Sequence, residues 1–321
     1  MPVNASLVAA VIPMIIYLII IWRMDKYDRE PFQFLIIHFL WGAFGAILLG
    51  ILGSILLGSF TGYTDESNPD ISLIQTILFA PVSEEIAKGL FLFFSVKSRK
   101  FDNITDGLVY GGAIGLGFGM TENFTYFITY GETFSEWIFL VIIRSGFSAV
   151  MHCISTATFG AFLGMAKFNL KSSKSLLPIA GLFLAILFHF LWNFTVSFDT
   201  TFYYGFVFMI ILTFFFFLLF KYAIKKEKEI IEHELKEEFE LLNLPVDHIN
   251  IISSSFRLKK GWIDERIRKQ YFRAAIHLAF KKMQSRNSSG YLKSVSEFEV
   301  EQLRELIRNL MAFNHPVSDE K

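Results

Sequence analysis

Ala80-Pro81-Val82-Ser83-Glu84-Glu85-Ile86-Ala87-Lys88-Gly89 sets two carboxylates and an ammonium inside an otherwise apolar run, Ile71–Val96. A run of that length crosses a hydrocarbon core about 30 Å thick as a helix. Within such a core a charged side chain costs roughly 2.5–3.5 kcal/mol on insertion-based scales. Three in one helix therefore need a reason, either a structural ion pair or chemistry. Glu84 and Lys88 are four residues apart and share a helix face. Glu85 is rotated by about 100°. The spacing predicts a Glu84–Lys88 pair and leaves Glu85 as the freer carboxylate, the favoured general base.

Working outward, the 321-residue chain is 53% hydrophobic and only 19% charged, where soluble domains carry about 25% charged residues. Its first two thirds hold seven apolar stretches, at about 4–22, 34–60, 71–96, 104–130, 137–166, 176–197 and 202–224. The fold class expected is all-α: a polytopic membrane protein of seven transmembrane helices. The first stretch has no basic residue before it and no small-residue cleavage site after it, so it reads as an anchor. Basic residues alternate between the connecting loops. Arg23, Lys26 and Arg29 lie in the first loop, Lys97, Arg99 and Lys100 in the third, Lys167, Lys171 and Lys174 in the fifth, and Lys221, Lys225 and Lys226 after the last span. The second, fourth and sixth loops have no Lys or Arg. By the positive-inside rule the N-terminus is outside and the C-terminal tail cytosolic, in a multi-pass protein of the cell (inner or plasma) membrane. A formal net charge of zero gives no reason to expect a nucleic-acid partner. The single cysteine, Cys153, allows no internal disulfide and reads as a packing residue.

Composition changes abruptly near Lys225, so residues 1–224 are expected to form the membrane domain and 225–321 a helical cytosolic tail. Asn243-Leu244-Pro245 breaks the helix that enters the tail. Trp262–Met283 and Val295–Phe313 carry apolar residues at helical spacing, joined by a linker, Ser285–Gly290. No motif names a role for the tail.

The other intramembrane polar residues fall on three spans. On the fourth, Gly107, Gly111, Gly115, Gly119 and Asn123 form one ladder at spacing four, a close-packing surface. Asp106, Tyr110, Phe118, Glu122 and Tyr126 lie on the next face. On the fifth, Arg144, Ser148, His152, Thr156, Gly160 and Gly164 form a stripe that lipid would not tolerate. On the sixth, His189 and Asn193 share a face. With the expected orientation, Glu84, Glu85, Glu122, His152, His189 and Asn193 converge between the midplane and the outer leaflet. Carboxylate, two histidines and an amide at one depth can hydrolyse a bond: Glu activates water, the histidines orient it or bind a metal ion, and Asn193 supports an oxyanion. Lys88, Glu122, Asn123 and Arg144 are supporting residues. There is no HExxH motif and no Gly-rich phosphate loop.

Glu84-Glu85-x-x-Lys88, Asp106-Gly107, Tyr110-Gly111, Gly115-Leu-Gly-Phe118, Glu122-Asn123 with Tyr126, Arg144, His152 with Thr156 and Gly160, and His189-Phe-Leu-Trp-Asn193 together resemble the PrsW family of intramembrane proteases. The loop Asp25-Lys-Tyr-Asp-Arg-Glu-Pro-Phe32 resembles theirs as well. The resemblance covers roughly residues 15–200, and the family is related to CAAX-type and bacteriocin-processing membrane proteases. It implies peptide-bond hydrolysis at the bilayer by glutamate-activated water. The implied substrate is a single-pass membrane protein, an anti-sigma factor cut on the outer side in a signalling cascade. The strongest carry-overs are Glu84, Glu85 and His152, then His189 and Asn193, then Glu122 and Arg144. Zinc held by His152, His189 and Glu85 and a metal-free glutamate mechanism are equally compatible with these residues. Two other classes fit part of the pattern. A proton-coupled transporter or channel uses intramembrane Glu and His, but no internal repeat or broken-helix pair is present. A seven-helix retinal protein needs a lysine at the centre of span seven, and Lys221 lies at its end.

Overall fold

The computed structural model describes residues 2–65, 67–98, 101, 103–167 and 175–314. Arg99, Lys100, Lys171 and Lys174, which the topology reading uses, lie outside the described residues. Among those described there is no strand. In chain order the helices are α1 (Val3–Met24), α2 (Phe32–Thr61), α3 (69–95), α4 (Ile104–Thr129), α5 (Phe134–Lys167), α6 (Leu176–Val196) and α7 (Phe202–Leu241). Then come α8 (Asp247–Ile252), α9 (Glu265–Arg286) and α10 (Gly290–Asn314).

Five of these, α1, α2, α5, α6 and α7, are long and apolar enough to cross a membrane. The sequence reading expects two more, at 71–96 and 104–130. Both are helical, but neither is in that set. Helix α3 carries the three charged residues, and a turn of different pitch divides it. Helix α4 is a 26-residue helix in which every residue from Thr105 to Gly119 is buried. Over that stretch the helix has no lipid face and need not be strongly apolar.

The chain divides into two compact units, one of Met1–Asp25 and Arg29–Lys221, the other of Lys26–Asp28 and Tyr222–Lys321. In the first unit α4 is the central element. It starts with a capping box, in which Asn103 and Asp106 each accept the other's backbone N–H. That gives Asp106 a structural task. The glycine ladder of α4 then lies against α5. A Cβ at Gly107, Gly111 or Gly115 would collide with the backbone carbonyl of Gly160, Thr156 or His152 respectively. Backbone meets backbone there, so side chains flanking the seam are brought to short range.

Three π-turns interrupt the α-helical register of this unit, at Trp41–Ala46 in α2, Gln75–Phe79 in α3 and Arg144–Ser148 in α5. Each inserts one residue into the local turn and rotates the residues beyond it. The latter two end five residues or fewer before Glu84 and His152.

The second unit has its own core, built on Leu235, Phe239, Ile252, Tyr271, Leu278 and Ile307. Asn243 takes a positive φ of 52° and ends the α7 segment. The buried carboxylate of Glu238 is held at 2.7 Å by both Lys282 and Arg304. Tyr27 belongs to this unit: its hydroxyl donates to the Ser253 carbonyl at 2.6 Å, and the Arg257 guanidinium lies over its ring.

The seam makes a contrast testable. Gly115→Leu should lower the melting temperature of detergent-solubilised protein, because overpacking typically costs about 1–3 kcal/mol. Gly146→Ala, where an added Cβ meets nothing within 4 Å, should leave it unchanged. Equal behaviour of the two variants would show that the seam is not tight.

Candidate functional site

Lys88 is the centre of the site. Its side chain is fully buried, and it lies on α3 one turn beyond the glutamate pair. The ammonium donates at 2.8 Å to Glu85 Oε1 and at 2.8 Å to His152 Nδ1. It stands 3.6 Å from Glu84 Oε2 and 3.8 Å from the centroid of the Phe118 ring. The structure thus reverses the expected pairing. Lys88 makes its short contact with Glu85 and its long one with Glu84. The reason is helical geometry: positions three and four apart both share a face, and the (i, i+3) partner here is the inward one.

Glu85 is committed on both oxygens. Oε1 accepts from Lys88 and from His189 Nδ1 at 3.0 Å, and Oε2 accepts from the Thr156 hydroxyl at 3.1 Å. Glu84 is not. Its Oε2 is buried and makes no hydrogen bond, and it lies 3.8 Å from His189 Nε2.

Helix α5 contributes His152 opposite Gly115, and Glu122 of α4 faces it. His152 Nε2 contacts Glu122 Oε2 at 2.7 Å, and Arg144 Nη2 reaches the same oxygen at 2.7 Å. Arg144 also donates from Nε to Asn123 Oδ1 at 3.2 Å and lies 3.5 Å over the Tyr126 ring. The rings of His152 and His189 are perpendicular, with centroids 4.7 Å apart. Glu84, Glu85, Lys88, Glu122, His152 and His189 therefore form one cluster, with Asn123 and Arg144 on its Glu122 side. Three carboxylates in it face two permanent cations.

Asn193 stands apart from these ion pairs. Its Nδ2 donates at 2.9 Å to the Thr76 carbonyl. The oxyanion role expected of it is not what this contact serves. Cys153 is buried in packing, as its small apolar character suggests. Thr156 and Phe118 contact the charged groups, yet composition alone does not single them out. Both stand on the polar ladders, Thr156 four residues from His152 and Phe118 four from Glu122, and that spacing is the signal that could have found them.

Whether these side chains suit a metal turns on histidine tautomers. Glu84, His152 and His189 offer ligand atoms within 4.8 Å of one another, a Glu/His/His set of the kind catalytic zinc uses. This differs from the expected set in having Glu84 in place of Glu85. An ammonium is a donor only, so His152 Nδ1 accepts from Lys88 and Nε2 carries the proton given to Glu122. No lone pair is left on His152 for a metal. His189 donates Nδ1–H to Glu85 and keeps its Nε2 lone pair. Two donors of the three fit, and the third is occupied by Lys88, so the arrangement does not suit a three-ligand metal.

Residues 30–220 match the family described as "PrsW family intramembrane metalloprotease". The chain is 32% identical over 192 residues to Protease PrsW of Oceanobacillus iheyensis, which covers 59% of this chain and 81% of that one. It is 29% identical over 168 residues to Protease PrsW of Clostridioides difficile, covering 51% and 67%. With Protease PrsW of Bacillus subtilis the identity is 26% over 171 residues, covering 53% and 72%. No solved structure matches.

The ion cluster yields a stability test. Lys88→Met leaves the buried Glu85 without its cation, which should cost about 3–5 kcal/mol. Adding Glu85→Gln should recover a large part of that loss. Thermal unfolding of the purified single and double variants reads this directly, and strictly additive losses would show that Lys88 and Glu85 are not coupled.

Proposed function

Because the chain belongs to the PrsW family of intramembrane metalloproteases, and is therefore a multi-pass intramembrane protease, we propose that Glu84 is its general base and His189 its water-orienting partner. The observation that carries this is the uncommitted Glu84 Oε2, buried without a hydrogen bond 3.8 Å from the bare Nε2 of His189. One water can donate a proton to each of those atoms and keep its lone pairs for attack. Glu84 takes the proton as the water oxygen bonds to the scissile carbonyl carbon. The carbonyl π pair moves to oxygen, and when it returns the C–N bond breaks. Glu84 then passes its proton to the leaving amine. Taking up that proton balances the cluster, whose carboxylates outnumber its permanent cations. Glu85, Lys88, Thr156, His152, Glu122 and Arg144 hold the charge pattern fixed and preorganise the site.

Seven crossings with the N-terminus outside are supported by the alternation of basic loops. That orientation puts the site towards the outer half of the bilayer. With the family resemblance, it supports a single-pass membrane substrate, an anti-sigma factor, cut on the outer side of the plasma membrane. Residues 1–224 are then the protease domain and 225–321 a cytosolic helical unit.

Glu84→Gln should reduce cleavage of a single-pass substrate by about 10²–10⁴-fold, the usual contribution of a general base. His189→Ala should follow it closely. Wild-type cleavage by Glu84→Gln would overturn the assignment, and loss confined to Glu85→Gln would move the base to that residue. Since His152 has no free lone pair, a zinc chelator should leave cleavage by the purified protein unchanged. Inactivation that added zinc reverses would show that His152 exchanges Lys88 for a metal.

A further inference from the structure

The hydrogen bond that takes Asn193 away from the ion cluster has a specific origin in the backbone of α3. In the π-turn at Gln75–Phe79, the Ala80 N–H is given to the Gln75 carbonyl, five residues back. The next residue, which would serve the Thr76 carbonyl in the same pattern, is Pro81, and proline has no N–H. The Thr76 carbonyl is thus left without a backbone donor; Thr76 is exposed on the surface of its unit, and in the seven-span topology proposed above that surface meets lipid, which supplies no donor in its place. A carbonyl left without a donor in hydrocarbon is costly whether protein or lipid surrounds it. Here the partner is Asn193 Nδ2 at 2.9 Å, from a different helix.

Asn193 lies one turn beyond His189 on the same face of α6. His189 is the residue whose two nitrogens face Glu85 Oε1 at 3.0 Å and Glu84 Oε2 at 3.8 Å. The bond from Asn193 to Thr76 therefore ties α6 to α3 on the chain segment that leads into the two glutamates. A sliding or rotation of α6 breaks it.

We propose that Asn193 is a positioning residue: by filling the hydrogen bond that Pro81 withholds from Thr76, it sets the register of His189 against Glu84. This rests on Glu84 and His189 acting together as proposed above. Pro81 and Asn193 then form a functional pair, the proline making the vacancy and the amide occupying it. A misplacement of about 1 Å at a reacting pair can cost two orders of magnitude in rate, so one hydrogen bond is enough to matter.

A double-mutant cycle on the full-length protein tests it, with kcat and KM measured on a single-pass substrate for wild type, Asn193→Ala, Pro81→Ala and the double variant. Asn193→Ala should lower kcat by about tenfold or more with KM little changed. Pro81→Ala restores an N–H to Thr76, so in that background Asn193→Ala should cost about threefold or less. The same fold loss in both backgrounds, as a direct oxyanion donor would give, overturns the proposal. Pro81→Ser supplies the same N–H and is read in the same way. A second measurement does not depend on proline replacement. Spin labels at Ser72→Cys and Asp199→Cys, with Cys153→Ser, should show a shifted or broadened distance when Asn193→Ala is added, and an unchanged distribution overturns the proposal. Glu84→Gln is run alongside. If it retains activity, the Glu84 assignment fails; if it is inactive while the cycle is additive, only the positioning role of Asn193 fails.

Discussion

The membrane unit depends on one buried ammonium. Lys88 has no exposed surface, yet it faces two carboxylates, an imidazole and an aromatic ring. Isolated, such a charge would be severely penalised by desolvation, and so would its partners. Together they satisfy one another. The consequences pass outward in sequence. Because an ammonium only donates, Lys88 sets the tautomer of His152. That tautomer directs Nε2–H at Glu122, which fixes the oxygen that Arg144 also grips. On the other side, the Lys88 contact holds Glu85 so that His189 Nδ1 can reach it, and this turns the His189 Nε2 lone pair towards Glu84.

That network is possible only because the helices come unusually close. Glycine on α4 lets the backbone carbonyls of α5 sit where side chains would otherwise stand. In lipid there is no hydrophobic drive between helices, so close packing and polar contacts must supply the attraction. The π-turns then adjust the rotation of each segment. A continuous α-helix through Gln75–Phe79 or Arg144–Ser148 would carry the residues after it about one position out of phase. Short-range packing and local unwinding are thus complementary: one brings the elements together, the other aims their side chains.

Much of this is legible in the chain. Charges in an apolar run, polar ladders at spacing four and a shared depth identify the same glutamates and histidines that the structure brings together. The failures are equally physical. Spacing four pairs Glu84 with Lys88, but spacing three falls on the same face and competes with it. Asn193 reads as an oxyanion donor because the need it fills here, a backbone vacancy at Thr76, is not visible in side chains. That vacancy arises only when Pro81 is combined with a π-turn, and no side-chain pattern announces a π-turn. The two further spans expected at 71–96 and 104–130 are less apolar than their neighbours for a related reason. One carries charged members of the ion cluster, and the other is wrapped by protein from Thr105 to Gly119.

The proposed mechanism keeps a division of labour between the two glutamates, with the names exchanged from those the spacing suggests. A general base needs an oxygen that can accept a proton without first giving up a stronger partner. Glu85 would have to release Lys88 or His189 from Oε1, or Thr156 from Oε2. Each release leaves a buried donor unpaired, at the full desolvation penalty of that group. Glu84 accepts no hydrogen bond on Oε2, and the Lys88 ammonium and His189 Nε2 stand 3.6 and 3.8 Å from it, a looser hold than Lys88 has on Glu85. Adjacent residues on one helix turn thus acquire opposite characters from their surroundings alone. Glu85 is held by lysine, histidine and threonine, and Glu84, whose Oε2 accepts no hydrogen bond, is the group that the proposed mechanism uses as base.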